Sequence, residues 1–258
     1  MSKYMKNFLK YRSLLEELVS RDVKIKYRRS VLGVLWTLLN PLLMMIVLSV
    51  VFSNLFKFDI ENFPLYLLCG QVIFNFFNDA TTNAMSAIVG NAALIKKVYV
   101  PKYMFVLSRV FSSFINLMAS CAALFMVMIA TRAELHWTMI LSVVPIALIV
   151  LLALGVGLIL SAITVKFRDI MHLYSVLMTV LMYLSPVIYP VSILPDWLYK
   201  LVMLNPITNI LMMFRDTILN NTVFSVQSLV VAVVETAIFL LIGIYVFRKK
   251  QDEFILNL

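Results

Sequence analysis

Charged side chains are scarce in this chain, and several long segments contain none. Only 14% of the 258 residues are charged, whereas ordinary soluble domains have about 25%. Hydrophobic residues make up 62% of the chain, and the mean hydropathy is +0.97. This composition excludes an ordinary soluble domain and indicates an integral membrane protein.

Cysteine, glycine and histidine are also rare. Cys69 and Cys121 both lie in apolar segments, which is typical of buried thiols rather than of a disulfide framework. None of the six glycines belongs to a phosphate-binding G-x-x-x-x-G-K loop, so we do not expect this chain to bind ATP. His136 and His172 lack metal-ligand spacing. We therefore expect no metal, cofactor or catalytic residue in this chain.

Six apolar segments are long enough to cross a bilayer, which takes about 20 residues. They run over 31–56, 62–95, 110–131, 135–165, 170–195 and 217–247. We predict an all-α integral membrane protein with six transmembrane helices. Asp79 and Glu235 are the single charges of the second and sixth segments, and Arg109 precedes the third. Charged residues within a membrane are functional candidates, although a buried pair also explains Arg109.

The distribution of basic residues predicts the orientation. If the N-terminus is cytoplasmic, the inner segments 1–30, 91–109, 166–169 and 248–258 hold 18 of the 22 Lys and Arg residues. The positive-inside rule favours this arrangement, with both termini cytoplasmic. The net charge of +9 therefore reflects membrane topology. Nucleic-acid binding is not expected, because the basic residues are dispersed among the spans.

The first thirty residues predict an amphipathic helix. Apolar side chains recur there at intervals of three and four residues, and basic residues lie largely on other faces. Such a helix either lies in the cytoplasmic leaflet against membrane lipids or packs on a protein partner. Both alternatives remain open. The apolar positions are Tyr4, Phe8, Tyr11, Leu15 and Leu18.

Segment 91–103, NAALIKKVYVPKY, places three lysines between apolar segments. Each lysine at the bilayer centre would cost about 2.5–3.5 kcal/mol, so the segment lies outside the hydrocarbon. Pro101 disfavours helix at the preceding residue, which predicts a short helix over 94–99. At helical spacing its apolar residues form one face, and we expect that face to dock on a partner; an ordinary basic loop is the alternative. The face comprises Leu94, Ile95, Val98 and Tyr99.

Segment 191–220 is apolar, yet prolines prevent it from forming one continuous helix. Asn205 is a suitable N-cap with Pro206 at the first helical position, and Trp197 suits a membrane interface. We predict two short helices that enter the outer leaflet and return. The candidate gate residues are Pro195, Trp197 and Pro206.

Five motifs occur in one order along nearly the whole chain: RRSVLGVLWTLLNP at 28–41, NAALIKKVYVPKY at 91–103, KFRDI at 166–170, LSPVIYP at 184–190 and LNPIT at 204–208. With these five motifs the chain resembles the permease subunit of ABC-2 type exporters, specifically the branch that exports O-antigen, capsule and teichoic acid. The resemblance implies a homodimer with two cytoplasmic ATPase subunits, which bind the ATP and Mg. The complex moves a lipid-linked glycan outward across the bacterial plasma membrane.

The resemblance also assigns roles within a permease domain over 31–258. Segment 91–103 corresponds to a coupling element for the ATPase, 166–170 to a smaller contact, 191–220 to a re-entrant outer gate and 248–258 to a cytoplasmic tail. The implied coupling residues are Leu94, Ile95, Lys96, Lys97, Val98, Tyr99, Pro101, Arg168 and Asp169.

Aromatic rings are candidates to line the glycan path, because sugar rings present apolar C–H faces to them. Those within or near the first, second and fifth segments are Trp36, Tyr66, Phe74, Phe77, Tyr174, Tyr183 and Tyr189.

The alternative function is an ion-coupled secondary transporter that uses Asp79 and Glu235. It is weakened because no inverted repeat is visible.

Overall fold

The structure is a computed structural model, and it describes residues 11–27, 32–55, 60, 62–98 and 100–257. The described residues form helices and turns and contain no strand. The α-helices are α1 Arg12–Tyr27, α2 Trp36–Leu55, α3 Phe63–Met85, α4 Ala87–Gly90, α5 Ala92–Lys97, α6 Tyr103–Ala130, α7 Val143–Thr164, α8 Ile170–Leu184, α9 Asp196–Met203, α10 Pro206–Ile218, α11 Val226–Lys250 and α12 Phe254–Asn257. Short 3-10 helices occupy Gly33–Leu35, Trp137–Ser142, Val191–Ile193 and Gln251–Glu253.

Three helical stretches are long and apolar enough to cross a membrane, namely Tyr103–Ala130, Trp137–Thr164 and Val226–Glu253. Two shorter apolar helices cover Trp36–Phe52 and Ile170–Leu184. The chain is therefore an all-helical integral membrane protein.

Two predicted segments are divided differently in the structure. Segment 62–95 is not one helix, because α3 ends at Met85 and the short helices α4 and α5 follow. Segment 217–247 begins too early, since α11 starts at Val226. The Ser225 hydroxyl accepts a hydrogen bond from the Ser228 backbone N–H and caps that start. The length of an apolar segment indicates a helix, but it does not show at which residues the helix begins and ends.

Helix α3 occupies the centre of the bundle and contacts α2, α6, α7, α8 and α10. Sixteen of its 23 residues are buried. This central position accommodates the polar residues Gln71, Asn78 and Asn83, which are buried or half-buried, whereas Asn75 lies on an exposed face of the helix.

Helices α7 and α11 pack through two glycines. A Cβ atom on Gly155 would lie 2.7 Å from the backbone N of Leu240, and one on Gly243 would clash with the Gly155 carbonyl oxygen. Small residues allow such close backbone approach between helices in a membrane. This contact fixes α11 against the rest of the bundle.

Candidate functional site

Apolar side chains from five parts of the chain meet at one end of the bundle, here called the basic end because Lys96, Lys97 and Lys166 are exposed there. They form the basic-end cluster, which includes Leu18, Ile88, Ile95, Phe105, Val106, Val165, Phe247 and Phe254. The predicted coupling segment, the 166–170 turn and the end of α11 therefore share one surface.

Helix α5 of the predicted coupling segment has a different orientation from the one predicted. It covers Ala92–Lys97 and ends where Val98 adopts an extended conformation, with φ −133° and ψ 135°. Ile95 is only 7% exposed within the basic-end cluster, and Leu94 packs against that cluster. Ile95 is therefore covered by the chain itself and Leu94 partly so, in contrast to the open apolar face expected from the sequence, and the docking of these residues on a partner stays a prediction.

The surface that α5 leaves free is formed by Lys96, Lys97 and Val98, of which Val98 is 51% exposed. Tyr99 lies outside the described residues. Arg168 and Asp169 of the neighbouring turn are exposed. An exposed apolar side chain flanked by lysines is suited to contact an acidic partner surface.

A network of ion pairs joins α1 to this region. Asp22 is buried, and its Oδ1 lies 3.0 Å from Nη2 of Arg21, while its Oδ2 lies 3.4 Å from Nε of Arg109. The same Arg21 nitrogen donates a hydrogen bond of 2.9 Å to Oδ1 of Asn91, the residue that precedes α5. Of the two placements predicted for the amphipathic helix, the described part, α1, packs on protein, namely α6 of its own chain. Arg109 is a member of a structural ion pair.

The residues after α11 fold back onto the basic end. Lys102 donates a hydrogen bond from Nζ to the Gln251 carbonyl oxygen and lies over the Phe254 ring, 5.6 Å from its centroid. Phe254 is buried against Phe247, with ring centroids 5.3 Å apart. Burial lowers the pKa of Lys102, an effect that the nearby charge of Asp252 opposes. The predicted tail is therefore packed against the coupling segment.

At the opposite end, the predicted gate segment contains two short helices, α9 and α10. Asn205 caps α10 as predicted, since its side chain accepts a hydrogen bond of 3.1 Å from the backbone N–H of Ile207. Pro206 begins α10, and Pro195 is the N-cap of α9. Trp197 is 69% exposed.

A buried arginine that no sequence motif marks, Arg215, joins α10 to two other elements. Its Nε and Nη2 donate to the carbonyl oxygen of Tyr66 at 3.3 and 3.0 Å. Nη1 donates to the carbonyl oxygen of Pro186 at 2.5 Å, and Nη2 donates to that of Val187 at 2.8 Å. Its Cζ lies 3.5 Å from the centroid of the Tyr66 ring. The carbonyl dipoles and the ring face stabilise a cation that is only 5% exposed.

The aromatic residues proposed for a glycan path do not line one surface of this chain. Phe74, Phe77 and Tyr174 are buried in the core, where the Tyr174 hydroxyl donates to Oγ1 of Thr81 at 2.6 Å. Phe77 and Tyr174 also border an apolar cavity of about 430 Å³. Trp36 is exposed elsewhere.

The other three tyrosines of that set meet at the end of α8. The Tyr66 hydroxyl donates to the Tyr189 carbonyl oxygen at 3.0 Å. The Tyr189 hydroxyl donates to the Tyr183 carbonyl oxygen at 2.9 Å, and the Tyr183 side chain is exposed. Tyr66 and Tyr189 thus fix local structure beside Arg215.

The two predicted intramembrane carboxylates have different surroundings. Asp79 lies on an exposed face of α3. Glu235 of α11 is half-buried, and its Oε2 accepts a hydrogen bond of 3.0 Å from Nδ2 of Asn209 in α10. Glu235 therefore joins α11 to the helix that Arg215 holds.

Comparison with known proteins finds one family model and several relatives. A family model for ABC-2 type transporters matches residues 13–219. The O-antigen export system permease protein RfbA of Myxococcus xanthus is 28% identical over 256 residues, which cover 98% of each chain. A protein of the same name from Klebsiella pneumoniae is 25% identical over 93% of each chain. The polysialic acid transport protein KpsM of Escherichia coli is 21% identical, over 92% of this chain and 93% of KpsM.

Proposed function

The chain belongs to the ABC-2 type transporter family, and we propose that it is the permease subunit of an ATP-driven exporter of a lipid-linked cell-surface polysaccharide. The observation that carries the proposal is the match along 98% of both chains to a protein named for O-antigen export. Relatives named for polysialic acid transport and capsule polysaccharide export match over almost the same length. The shared chemistry is a long glycan; teichoic-acid-like polymers belong to the same proposal.

We propose that six helices cross the bacterial plasma membrane, namely α2, α3, α6, α7, α8 and α11. Helix α3 has 23 residues, which at 1.5 Å per residue extend about 34 Å, enough for a hydrocarbon core of about 30 Å. The basic end then faces the cytoplasm, in agreement with the positive-inside rule. The segment that contains α9 and α10 re-enters the outer leaflet as a gate.

We further propose a homodimer with two cytoplasmic ATPase subunits. The homodimer is what the resemblance to the family implies, and the exposed apolar residues of α8, Leu173, Val176 and Val180, can contact either lipid or a second copy. At the basic end, the surface formed by Lys96, Lys97 and Val98 is suited to the ATPase, and Arg168 with Asp169 offers a second contact. The ion-coupled alternative has no support from the family match.

Deletion of the gene tests the proposal. We expect the surface polymer to disappear and a lipid-linked glycan to accumulate inside the cell, and a plasmid copy should reverse both effects. An unchanged surface polymer, with no internal glycan, would contradict the proposed function. Cysteine labelling tests the orientation in the same cells. An impermeant reagent should label Arg132→Cys and Lys200→Cys from outside but not Lys97→Cys.

A further inference from the structure

The two short helices of the proposed gate are held very differently. In α10, ten of 13 residues are buried, whereas in α9 only Val202 is buried among eight. Trp197, Tyr199 and Lys200 of α9 are exposed. Within the described part of the chain, no side chain of α9 forms a hydrogen bond or ion pair with another element. The carbonyl oxygen of Met203, the last residue of α9, accepts a hydrogen bond of 3.3 Å from Nδ2 of Asn209 in α10. One helix is thus part of the core, and its neighbour lies on the surface.

Helix α10 is attached at several positions along its length. Near its start, Asn209 donates to Glu235 of α11. Near its end, the Thr138 hydroxyl donates to the Thr217 carbonyl oxygen at 3.0 Å. Between these positions, Arg215 binds carbonyl oxygens at the start of α3 and in the turn after α8. Four elements therefore hold α10 in place.

The turn after α8 explains why an arginine is needed. Helix α8 ends at Leu184, and Pro186 and Pro190 keep the following residues out of a helix, so the carbonyl groups of Pro186 and Val187 receive no helical N–H donor. The Arg215 guanidinium supplies planar, directed N–H donors to the carbonyls of Pro186 and Val187. A lysine carries its donors on a single nitrogen and cannot reproduce that fork.

Gly70 of α3 provides the space for this contact. A Cβ atom at residue 70 would lie 2.6 Å from Nη2 of Arg215 and 2.9 Å from the Val187 carbonyl oxygen. The carbonyl oxygen belongs to the backbone and cannot move independently of the turn. Even the smallest side chain at this position would therefore displace the guanidinium or the turn.

We infer that Arg215 is a positioning residue that keeps α10 fixed to α3 and to the end of α8 while the outer gate opens. The moving part is then α9 with the preceding residues 190–195. It turns about the connection Leu204–Asn205, where Asn205 Nδ2 donates to Oγ of Ser185 at 2.9 Å. This inference rests on the proposed function, because it assigns the fixed and the moving helix of the proposed gate.

Cysteine labelling of the purified complex with its ATPase in lipid nanodiscs tests the inference. In a background of Cys69→Ala and Cys121→Ala, single cysteines replace Trp197 in α9 and Asp216 in α10. Maleimide labelling rates are compared without nucleotide and with ATP plus vanadate. We expect the rate at 197 to change at least threefold between the two states and the rate at 216 to stay constant.

Two substitutions then release α10. With Arg215→Lys or Gly70→Ala, the rate at 216 should also depend on nucleotide, because α10 is no longer fixed. Gly90→Ala is the matched control, since a Cβ there meets no atom within 4 Å, and it should leave both rates unchanged. A merely structural role of Arg215 would lower protein stability without making labelling at 216 depend on nucleotide.

Three outcomes overturn the inference. In the first, position 216 responds as strongly as position 197 in the unsubstituted complex. In the second, Arg215→Lys and Gly70→Ala both leave 216 independent of nucleotide. In the third, neither position responds although the complex hydrolyses ATP. If the purified chain binds no ATPase and supports no ATP hydrolysis, the proposed function itself fails, and the inference fails with it.

Discussion

Val98 and Ile95 lie three residues apart, and the structure assigns them opposite roles that one experiment can separate. Val98 is half-exposed at the basic end, so Val98→Ala removes apolar surface that the proposed ATPase would cover. Burial contributes about 0.8 kcal/mol per methylene group. Val98→Ala removes two carbons, and because Val98 is about half-exposed, binding would bury surface equivalent to about one methylene group. We therefore expect a loss of about 0.8 kcal/mol of binding free energy. That corresponds to roughly fourfold weaker ATPase binding at one site.

Ile95→Ala removes apolar atoms from a packed cluster instead. Such truncations reduce the free energy of unfolding by about 2–5 kcal/mol, so we expect a lower Tm of the isolated permease. Binding of the ATPase by the folded fraction should change little. The two measurements are thermal unfolding in detergent and the Kd for the purified ATPase in nanodiscs.

The opposite pattern would contradict the assignment of the two residues. It consists of unchanged Tm with weaker binding for Ile95→Ala, and lower Tm with unchanged binding for Val98→Ala.

Lys97→Gln is the electrostatic control, because an exposed charge pair contributes about 0–1 kcal/mol. The sequence also predicts that Tyr99→Ala weakens ATPase binding by about 2 kcal/mol, as aromatic anchors often do. If Lys97→Gln abolishes binding while Tyr99→Ala does not, the docking is electrostatic.

Three further predictions concern the described contacts. Asp22→Asn should destabilise the permease by about 2 kcal/mol, because hydrogen-bonded charges contribute about 1.5–3 kcal/mol. Glu16→Gln, which alters an exposed ion pair with Arg12, should leave the Tm unchanged. If Asp22→Asn and Glu16→Gln lower the Tm equally, Asp22 does not belong to a stabilising buried network. Gly155→Ala should lower the Tm by separating α7 from α11, and Gly90→Ala is its control. Asp79→Asn should reduce export at an unchanged protein level if Asp79 acts in transport, whereas a parallel loss of protein would show a structural role.

The class of fold and several helix limits could be predicted from the sequence, because they depend on local properties. Long apolar runs indicate membrane helices whatever their neighbours. The start of α10 was also predictable, since an Asn side chain and a following proline cap a helix through contacts within three residues. These signals do not depend on which distant segments pack together.

The orientation of α5 could not be predicted in the same way. Periodicity shows that Leu94 and Ile95 share an apolar face, but it does not show what covers that face. The cover includes Leu18 from α1 and Phe254 from α12, which are distant in sequence. A surface that looked available for a partner was already occupied by the chain.

The burial of Arg215 could not be predicted for a related reason. Counting basic residues placed it among the few outside charges, and a count does not distinguish a solvated cation from a buried one. Its role depends on carbonyl oxygens that lose their helical partners near Pro186, more than 25 residues earlier in the chain. The one available signal was its place inside an otherwise apolar helix.

The polar character of the central helix has a consequence for how the protein enters the membrane during synthesis. A single Asp near the middle of a spanning helix costs about 2.5–3.5 kcal/mol on insertion scales, and α3 carries Asp79 together with several Asn residues. Such a segment is poorly retained by lipid alone. On the proposed topology, in which α3 crosses the membrane, the translocon should hold α3 until α6 and α7, which are made later, cover its buried face. Biogenesis should be most sensitive to substitutions where those two helices cover α3.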